Sequence, residues 1–295
     1  MAGRWRQEIG SHGRTITPGA GESATGPRSA RVTFLGHSTL LIEIDGLRVL
    51  TDPVLHGLGP VRRQVDPVDP DVLADVDAVF ISHGHHDHLD LASLRRIPGR
   101  PVILVPRGLG VLASRARVGP VAEVVPGDRV VIDGVPLEVV PAAHDGRRRP
   151  FGPDADAIGC LVGTSETMYF AGDTDLFADM AALRGRIDVA LLPVWGWGPR
   201  LGPGHLDPLR AAAAVEVLAP RVAVPIHWGT LYPVGLRQMM RTSFDAPGPA
   251  FQREVAARAL DVHVQVLRPG DSLEVPSRAG TAPLGAIGPG SVTRR

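Results

Sequence analysis

Lysine is missing from the 295-residue chain, so arginine supplies all 31 of its Lys-plus-Arg positions. With abundant Ala, Gly, Pro and Val, that usage reflects GC-rich codons, and a single arginine is correspondingly weak evidence of function. Thirty-one acidic residues balance the arginines to a formal net charge of zero. No excess positive charge is therefore available to capture nucleic acid or an anionic membrane. Cysteine occurs once, at Cys160, which excludes an intramolecular disulfide framework and a multi-cysteine zinc site. Cys160 sits in the apolar run AIGCLVGT and reads as a small buried hydrophobe. No apolar stretch approaches the length of a membrane span. The start, MAGRWRQEIGSHGRT, carries arginines but no apolar segment behind them, which argues against a secretory signal and for a cytoplasmic location.

What remains is 44% hydrophobic and 21% charged, enough to bury a substantial core. Residues 1–29 and 276–295 are rich in Gly, Ser, Thr and Pro without periodicity and read as flexible tails. Between them, residues 30–275 form one continuous pattern and one domain. It opens with RVTFLG, TLLIEIDG and LRVLTDP, the last two joined across the hairpin dipeptide Asp45-Gly46. Further strand patterns are DAVFIS, PVILVP, VAEVV, DRVVIDGVPLEVVP, AIGCLVGT, TMYFAG, DVALLPV, RVAVPIH and VHVQVLRP. Helical patterns lie at LDLASLRRI, GLGVLASRA, LFADMAALRG, DPLRAAAAVEVLA and FQREVAARAL. The fourth is bounded by Asp207 as N-cap, Pro208 at its first position and Pro220 beyond its end. Meandering strands followed by strand–helix alternation imply an α/β fold of two packed sheets with helices outside.

The stretch ISHGHHDHLD, residues 81–90, crowds His83, His85, His86, His88, Asp87 and Asp90 behind the apolar run DAVFIS. Such groups at the end of a buried strand cost desolvation energy unless something compensates. The spacing His83-x-His85-x-Asp87-His88, between a strand and a helix, can aim several side chains into one cleft. Imidazoles and a carboxylate suit Zn²⁺, and also Fe or Mn. A solvated histidine-rich loop is the competing reading. Downstream, His144 follows LEVVPAA, Asp173 follows TMYFAG and His227 follows RVAVPI. Four strand ends that each offer His or Asp outweigh the bland alternative.

These residues resemble the metallo-β-lactamase fold superfamily from about Val32 to Val275, and His83-Gly84-His85-His86-Asp87-His88 matches its HxHxDH signature. The resemblance implies a four-layer αββα sandwich of two mixed β-sheets with helices on the outer faces. It implies that His83, His85 and His144 hold one divalent ion and Asp87, His88 and His227 a second, with Asp173 bridging. Both ions would be Zn²⁺ in the first instance, with Mn²⁺ or Fe²⁺ as substitutes. GHST at 36–39, the Asp52-Pro53 of LTDP, and GHLDP followed by PIHWGT resemble the branch of ascorbate-6-phosphate lactonases and N-acyl-phosphatidylethanolamine-hydrolysing phospholipase D. Relatives with a cysteine ligand, with a glutamate at the place of His85, or with a basic RNA-binding arm fit less well.

The implied activity is binuclear metal-dependent hydrolysis by a metal-bridging hydroxide, on a phosphodiester or a lactone/ester, with the phosphodiester slightly preferred. The alternatives are an iron-dependent oxygenase or oxidoreductase on the same fold, and a non-catalytic binding protein. The substrate is a small or lipid-like molecule, no nucleic acid is expected, and homo-oligomerisation is left open. Asp87 can also orient the nucleophile, and His205 is the candidate acid or substrate donor, or else a helix-entry histidine. His37 reads as support for the site and Asp52 as either an acceptor for a ligand imidazole or an Asp-Pro turn. Arg147, with Arg148 and Arg149, can bind a phosphate or carboxylate, or form a solvated loop. Trp195, Trp197 and Trp228 can wall a pocket or fill the core. His86 reads as a residue that points away from the ligands.

Overall fold

Asp45 and Gly46 both adopt positive φ (51° and 89°), the geometry of a type I′ turn, whose twist matches the strands it joins. Strands β4 (Thr39–Ile44) and β5 (Leu47–Thr51) accordingly pair antiparallel with Ile44 opposite Leu47. The computed structural model describes residues 6–10, 13–17, 30–148, 150–198, 200–236 and 244–275.

Chain order runs β1 (Arg6–Gly10), β2 (Gly13–Thr17), β3 (Ala30–Gly36), then β4 and β5, β6 (Val61–Arg63), β7 (Ala78–Phe80), β8 (Val102–Pro106) and β9 (Val121–Val124). It continues β10 (Arg129–Ile132), β11 (Val135–Pro141), β12 (Ile158–Val162), β13 (Met168–Phe170), β14 (Val189–Pro193), β15 (Val222–Ile226), β16 (Leu231–Pro233), β17 (His263–Val264) and β18 (Ser272–Val275). A seven-stranded sheet has the order β18-β3-β4-β5-β7-β8-β9 and a nine-stranded sheet β1-β2-β10-β11-β12-β13-β14-β15-β17, while β16 and β6 form a small ribbon. Both large sheets are mixed. In the first, β18 to β5 are antiparallel and β5 to β9 parallel; in the second, β10 to β13 are antiparallel and β13 to β17 parallel.

Alternate residues of each strand face different layers, as the two-residue pleat requires. Phe80 of β7 and Phe170 of β13 meet edge to face between the sheets, with ring centroids 6.1 Å apart, in a core that includes Val32, Ile42, Val139, Cys160 and Val224. The outer face of the nine-stranded sheet packs Tyr169, Ala190 and Leu192 against α3 (Pro208–Leu218) and α4 (Pro247–Ala257). On the opposite side, Leu50, Val79 and Ile103 meet Leu94 of α1 (Leu91–Leu94) and Ala113 of α2 (Gly110–Ala113). The result is the four-layer sandwich with two helical faces. Among the described residues, no helix is long and apolar enough to cross a membrane.

Several local expectations change. The segment 1–29 is not tail throughout, because β1 and β2 extend the nine-stranded sheet beyond β10. Edge addition uses backbone donors and acceptors and needs no apolar alternation, so composition did not reveal it. Residues 276–295 lie outside the described residues. LFADMAALRG forms a 3₁₀ helix over Ala178–Leu183, and VHVQVLRP contributes only His263–Val264 to the sheet. Strands β6, β16 and β18 had no place in the sequence pattern. The helix entered by GHLDP starts where Asp207 accepts from Arg210 N at 2.8 Å.

This topology aligns the C-terminal ends of β3, β5, β7, β11, β13 and β15 along one edge of the sandwich. His37, Asp52, His83, His144, Asp173 and His227 each lie one to three residues beyond those ends.

Candidate metal centre

The side chains at this edge are held by a chain of directed hydrogen bonds that also determines their tautomers. Asp52 is fully buried at φ 35°, and its N donates to Phe80 O at 2.9 Å. Its carboxylate accepts from Ser82 N (2.7 Å), Ser82 Oγ (2.5 Å) and His88 Nδ1 (2.7 Å). Since the single hydroxyl proton of Ser82 goes to Asp52, Ser82 Oγ can only accept from His83 Nδ1, 2.9 Å away. His144 Nδ1 donates to Gly204 O at 2.8 Å, and His227 Nδ1 donates to Trp195 O at 2.6 Å. In their neutral forms His83, His88, His144 and His227 therefore all carry their proton on Nδ1 and present a bare Nε2.

Those bare nitrogens converge with two carboxylates. His88 Nε2 and His227 Nε2 are 3.1 Å apart, and each is 3.3 Å from an oxygen of Asp173 and 3.7 Å from Asp87 Oδ2. His85 Nδ1 lies 3.2 Å from His144 Nε2. His83, His85 and His144 offer ligand atoms all within 4.8 Å of one another, as do Asp87, His88 and His227 together with His37. Asp173 reaches both sets, since it also groups with His144 and His205. His83 Nε2 and Asp173 Oδ1 are buried without a hydrogen-bond partner. Buried acceptors that face one another with no donor between them repel, and a cation removes the conflict. Tetrahedral Zn–N bonds of about 2.0–2.1 Å would place ligand nitrogens about 3.3 Å apart, which matches the spacing here. The residues fit divalent metal.

Electrostatics agree with that reading. Burial, reinforced by His88, lowers His83 well below the usual imidazole range. Burial also lowers His144, and brings His85 to about 4. His37 is pushed down to about 3 by burial and by His227. Burial pulls His88 the same way, but the carboxylates of Asp173, Asp87 and Asp52 outweigh it and raise His88. Asp87 and Asp173 are raised by burial, yet neighbouring histidines hold both well below the ordinary carboxylate range.

A stability prediction follows for the metal-free protein. His37, His83, His85 and His144 take up a proton less readily in the folded than in the unfolded chain, where they titrate near pH 6.5, so acidification favours unfolding through these groups. His88 and His205 are raised, so their contribution is present below pH 6.5 and is lost as pH rises. Four groups oppose two. Chelator-treated protein should show a lower denaturant midpoint at pH 5 than at pH 7.5; an equal or higher midpoint would contradict the assignment.

The remaining candidates separate. His37 Nε2 donates to Asp87 Oδ2 at 2.9 Å, and His37 O accepts from His227 N, tying three segments together. His37 and His227 both hold positive φ (57° and 63°), a strain that this network sustains. His205 Nε2 is 3.5 Å from Asp173 Oδ2, and its Nδ1 faces Gly202 O and Pro203 O at 3.2 Å. Trp195 contributes its backbone carbonyl to His227. The Trp228 indole packs over Gly248 of α4 and donates to Pro225 O. Arg147 is not at the cluster either; it forms an exposed ion pair with Asp154. Arg149 lies outside the described residues.

A cavity of about 490 Å³ adjoins Asp87, lined by Leu58, Val61, Trp197, His56, His86 and Asp90 among others. His86 is exposed, lines this cavity and belongs to none of the ligand groups. Sequence reasoning missed Ser82 and His56. Ser82 had one signal, its position directly before the motif; His56 had none, and the fold brings its Nε2 to 2.9 Å from Asp90 Oδ2.

The comparisons agree with the geometry. A model of the beta-lactamase superfamily domain matches residues 47–228. A metal-dependent hydrolase of Methanopyrus kandleri is 35% identical over 83% of this chain and 99% of its own. An N-acyl-phosphatidylethanolamine-hydrolyzing phospholipase D of Caenorhabditis elegans is 30% identical over 69% of this chain and 64% of its own length. In architecture, the chain is similar to a metallo hydrolase from Ignicoccus hospitalis with a TM-score of 0.64 at 22% identity, covering 83% of this chain and 98% of that one. With the fold, the acceptor cluster and the matched domain in agreement, this chain belongs to the beta-lactamase superfamily, among its metal-dependent hydrolases.

Proposed function

We propose a two-metal hydrolase, with zinc as the first candidate ion, that cleaves phosphodiesters in preference to lactones or esters. The observation that supports it is the convergence of acceptor atoms in two sets, with Asp173 within reach of both. His83, His85 and His144 would hold one ion, Asp87, His88 and His227 the other, and Asp173 would touch both. Divalent ions held by these residues would supply Lewis acidity to the scissile group and a water of lowered pKa.

The other steps fall to the chain itself. His37 orients Asp87 through its Nε2 proton. His205 Nε2 lies 3.5 Å from Asp173 Oδ2, so a proton carried there is within reach of a departing oxygen at the cluster. Leu58, Val61 and Trp197 receive an apolar substituent, and no arginine is among the described residues that line that cavity. An apolar diester fits there better than a phosphomonoester dianion. The phospholipase D name of the Caenorhabditis elegans relative supports the same bond type.

The test is a panel of chromogenic phosphodiesters, phosphomonoesters, lactones and thioesters on zinc-loaded protein. The diester should turn over fastest; a lactone turned over faster would reverse the preference. His205→Gln should lower kcat on an alkyl diester by about 10²-fold or more, the usual worth of general acid catalysis. It should barely affect a nitrophenyl diester, whose leaving group needs no proton, and zinc content should stay unchanged. Equal losses on both substrates would remove His205 from the acid role.

A further inference from the structure

The arginine block after His144 divides in the fold. While Arg147 pairs with Asp154 at the surface, Arg148 turns inward onto the segment that carries the histidine motif. Its Nη1 donates to Gly84 O at 3.0 Å and to Leu89 O at 2.7 Å, and its Nη2 donates to His86 Nδ1 at 2.9 Å. The acceptors mark the start, middle and end of residues 84–89. Backbone contact seals the same junction, with Gly84 N donating to Gly146 O at 2.9 Å. The approach is close enough that a Cβ on Gly84 would lie 2.8 Å from Gly146 O, and one on Gly146 would lie 2.4 Å from Ala155 O. The strap bearing Arg148 is itself closed, by Arg148 N donating to Pro153 O and Gly152 N donating to Arg148 O.

We propose that Arg148 is a positioning residue that locks residues 84–89 onto the loop following His144 and so sets the metal centre's geometry before any ion binds. The physical need is specific. His83 and His85 come from one loop and His144 from another, yet their ligand atoms must meet within 4.8 Å. A flexible junction would charge the ordering of both loops against metal affinity, whereas a preformed one does not. Only a planar fork can serve two carbonyls from one nitrogen and an imidazole from the other; a lysine ammonium has one nitrogen and a shorter reach. By donating to His86 Nδ1, the fork also leaves the ring proton of neutral His86 on Nε2, and His86 lines both the cavity beside Asp87 and a second one beside Phe151. The proposal rests on reading residues 83–88 as the ligand segment.

The experiment compares Arg148→Ala, Arg148→Lys and the control Arg184→Ala, which removes an exposed arginine that donates to the carbonyls of Glu216 and Val217. Zinc affinity is read by chelator competition, and amide hydrogen exchange is followed on the metal-free proteins. Both Arg148 variants should bind zinc about 10–100-fold more weakly, the usual cost of losing a group that orients metal ligands. Exchange at residues 84–89 should speed up while that of β12 and β13 stays unchanged, and added guanidinium ion should restore affinity to Arg148→Ala. Arg184→Ala should match the parent in both readouts. Parent-like zinc affinity and exchange in Arg148→Lys would overturn the proposal, and that variant carries the test if Arg148→Ala does not fold. If His83→Ala keeps its full zinc content, the ligand reading fails instead; the metal-free exchange data still decide Arg148's role.

Discussion

Asp173→Ala should lose metal and about 10³-fold or more in turnover, the equivalent of roughly 4 kcal/mol of transition-state charge stabilisation. The reason is its position. One oxygen lies 3.3 Å from His88 Nε2 and the other 3.3 Å from His227 Nε2, and the residue groups with His144 as well. Asp52 also groups with one member of each set, His83 and His88, but its oxygens are taken up by Ser82 N, Ser82 Oγ and His88 Nδ1. Asp173→Asn is the sharper form of the test. It preserves shape but swaps one acceptor oxygen for an amide donor and removes the charge that the two ions would share. Both variants should fold, because Phe170 and Ala171, which anchor the strand end in the core, are untouched. Metal content by elemental analysis should fall below the parent in both. If either retains the parent's full complement, Asp173 does not bridge.

The second large effect belongs to Asp52, which would contact no ion. Asp52→Asn should weaken zinc binding by about 10–100-fold and destabilise the metal-free fold by about 1–3 kcal/mol. Its two oxygens receive three donors: Ser82 N, Ser82 Oγ and His88 Nδ1. Whichever way an asparagine amide is turned, its NH₂ faces one of these donors in a site with no solvent exposure. The conflict at His88 can be relieved by moving the ring proton from Nδ1 to Nε2, but that closes the nitrogen a metal needs. Chelator competition and the denaturant midpoint check the two magnitudes, and nitrogen chemical shifts of His88 report the tautomer. Parent-like affinity with a shifted tautomer would exclude His88 as a ligand.

Much of this was legible before the fold. The continuous apolar runs in DVALLPV and RVAVPIH mark strands buried on both faces, the Asp45-Gly46 turn gives a register, and ISHGHHDHLD lies behind its strand. His144, Asp173 and His227 follow apolar runs in the same way, so their convergence needs only that those runs be parallel in one edge-aligned architecture. Other features had no local signature. β1 and β2 join through backbone bonds, which any polar sequence can make. His56 meets Asp90 across 34 positions of sequence, and β6 and β16 are three-residue strands too short to carry a pattern. Arg147 and Arg148 are adjacent and chemically identical, and only the closure of the strap at residues 148–153 sends one to solvent and the other inward. The tryptophans divide for a similar reason: Trp228 is claimed by the α4 interface, while Trp197 is left beside the cavity.

The layered α/β fold and the chemical kind of the site follow from the residues alone, because apolar runs specify strands and a clustered set of histidines and aspartates is too costly to bury without a cation. Which nitrogen each histidine presents, which residues orient the cluster and which merely neighbour it emerge only once the chain is folded. Those depend on hydrogen-bond partners such as Asp52, Gly204 O, Trp195 O and the Arg148 fork, brought from distant parts of the chain by sheet topology.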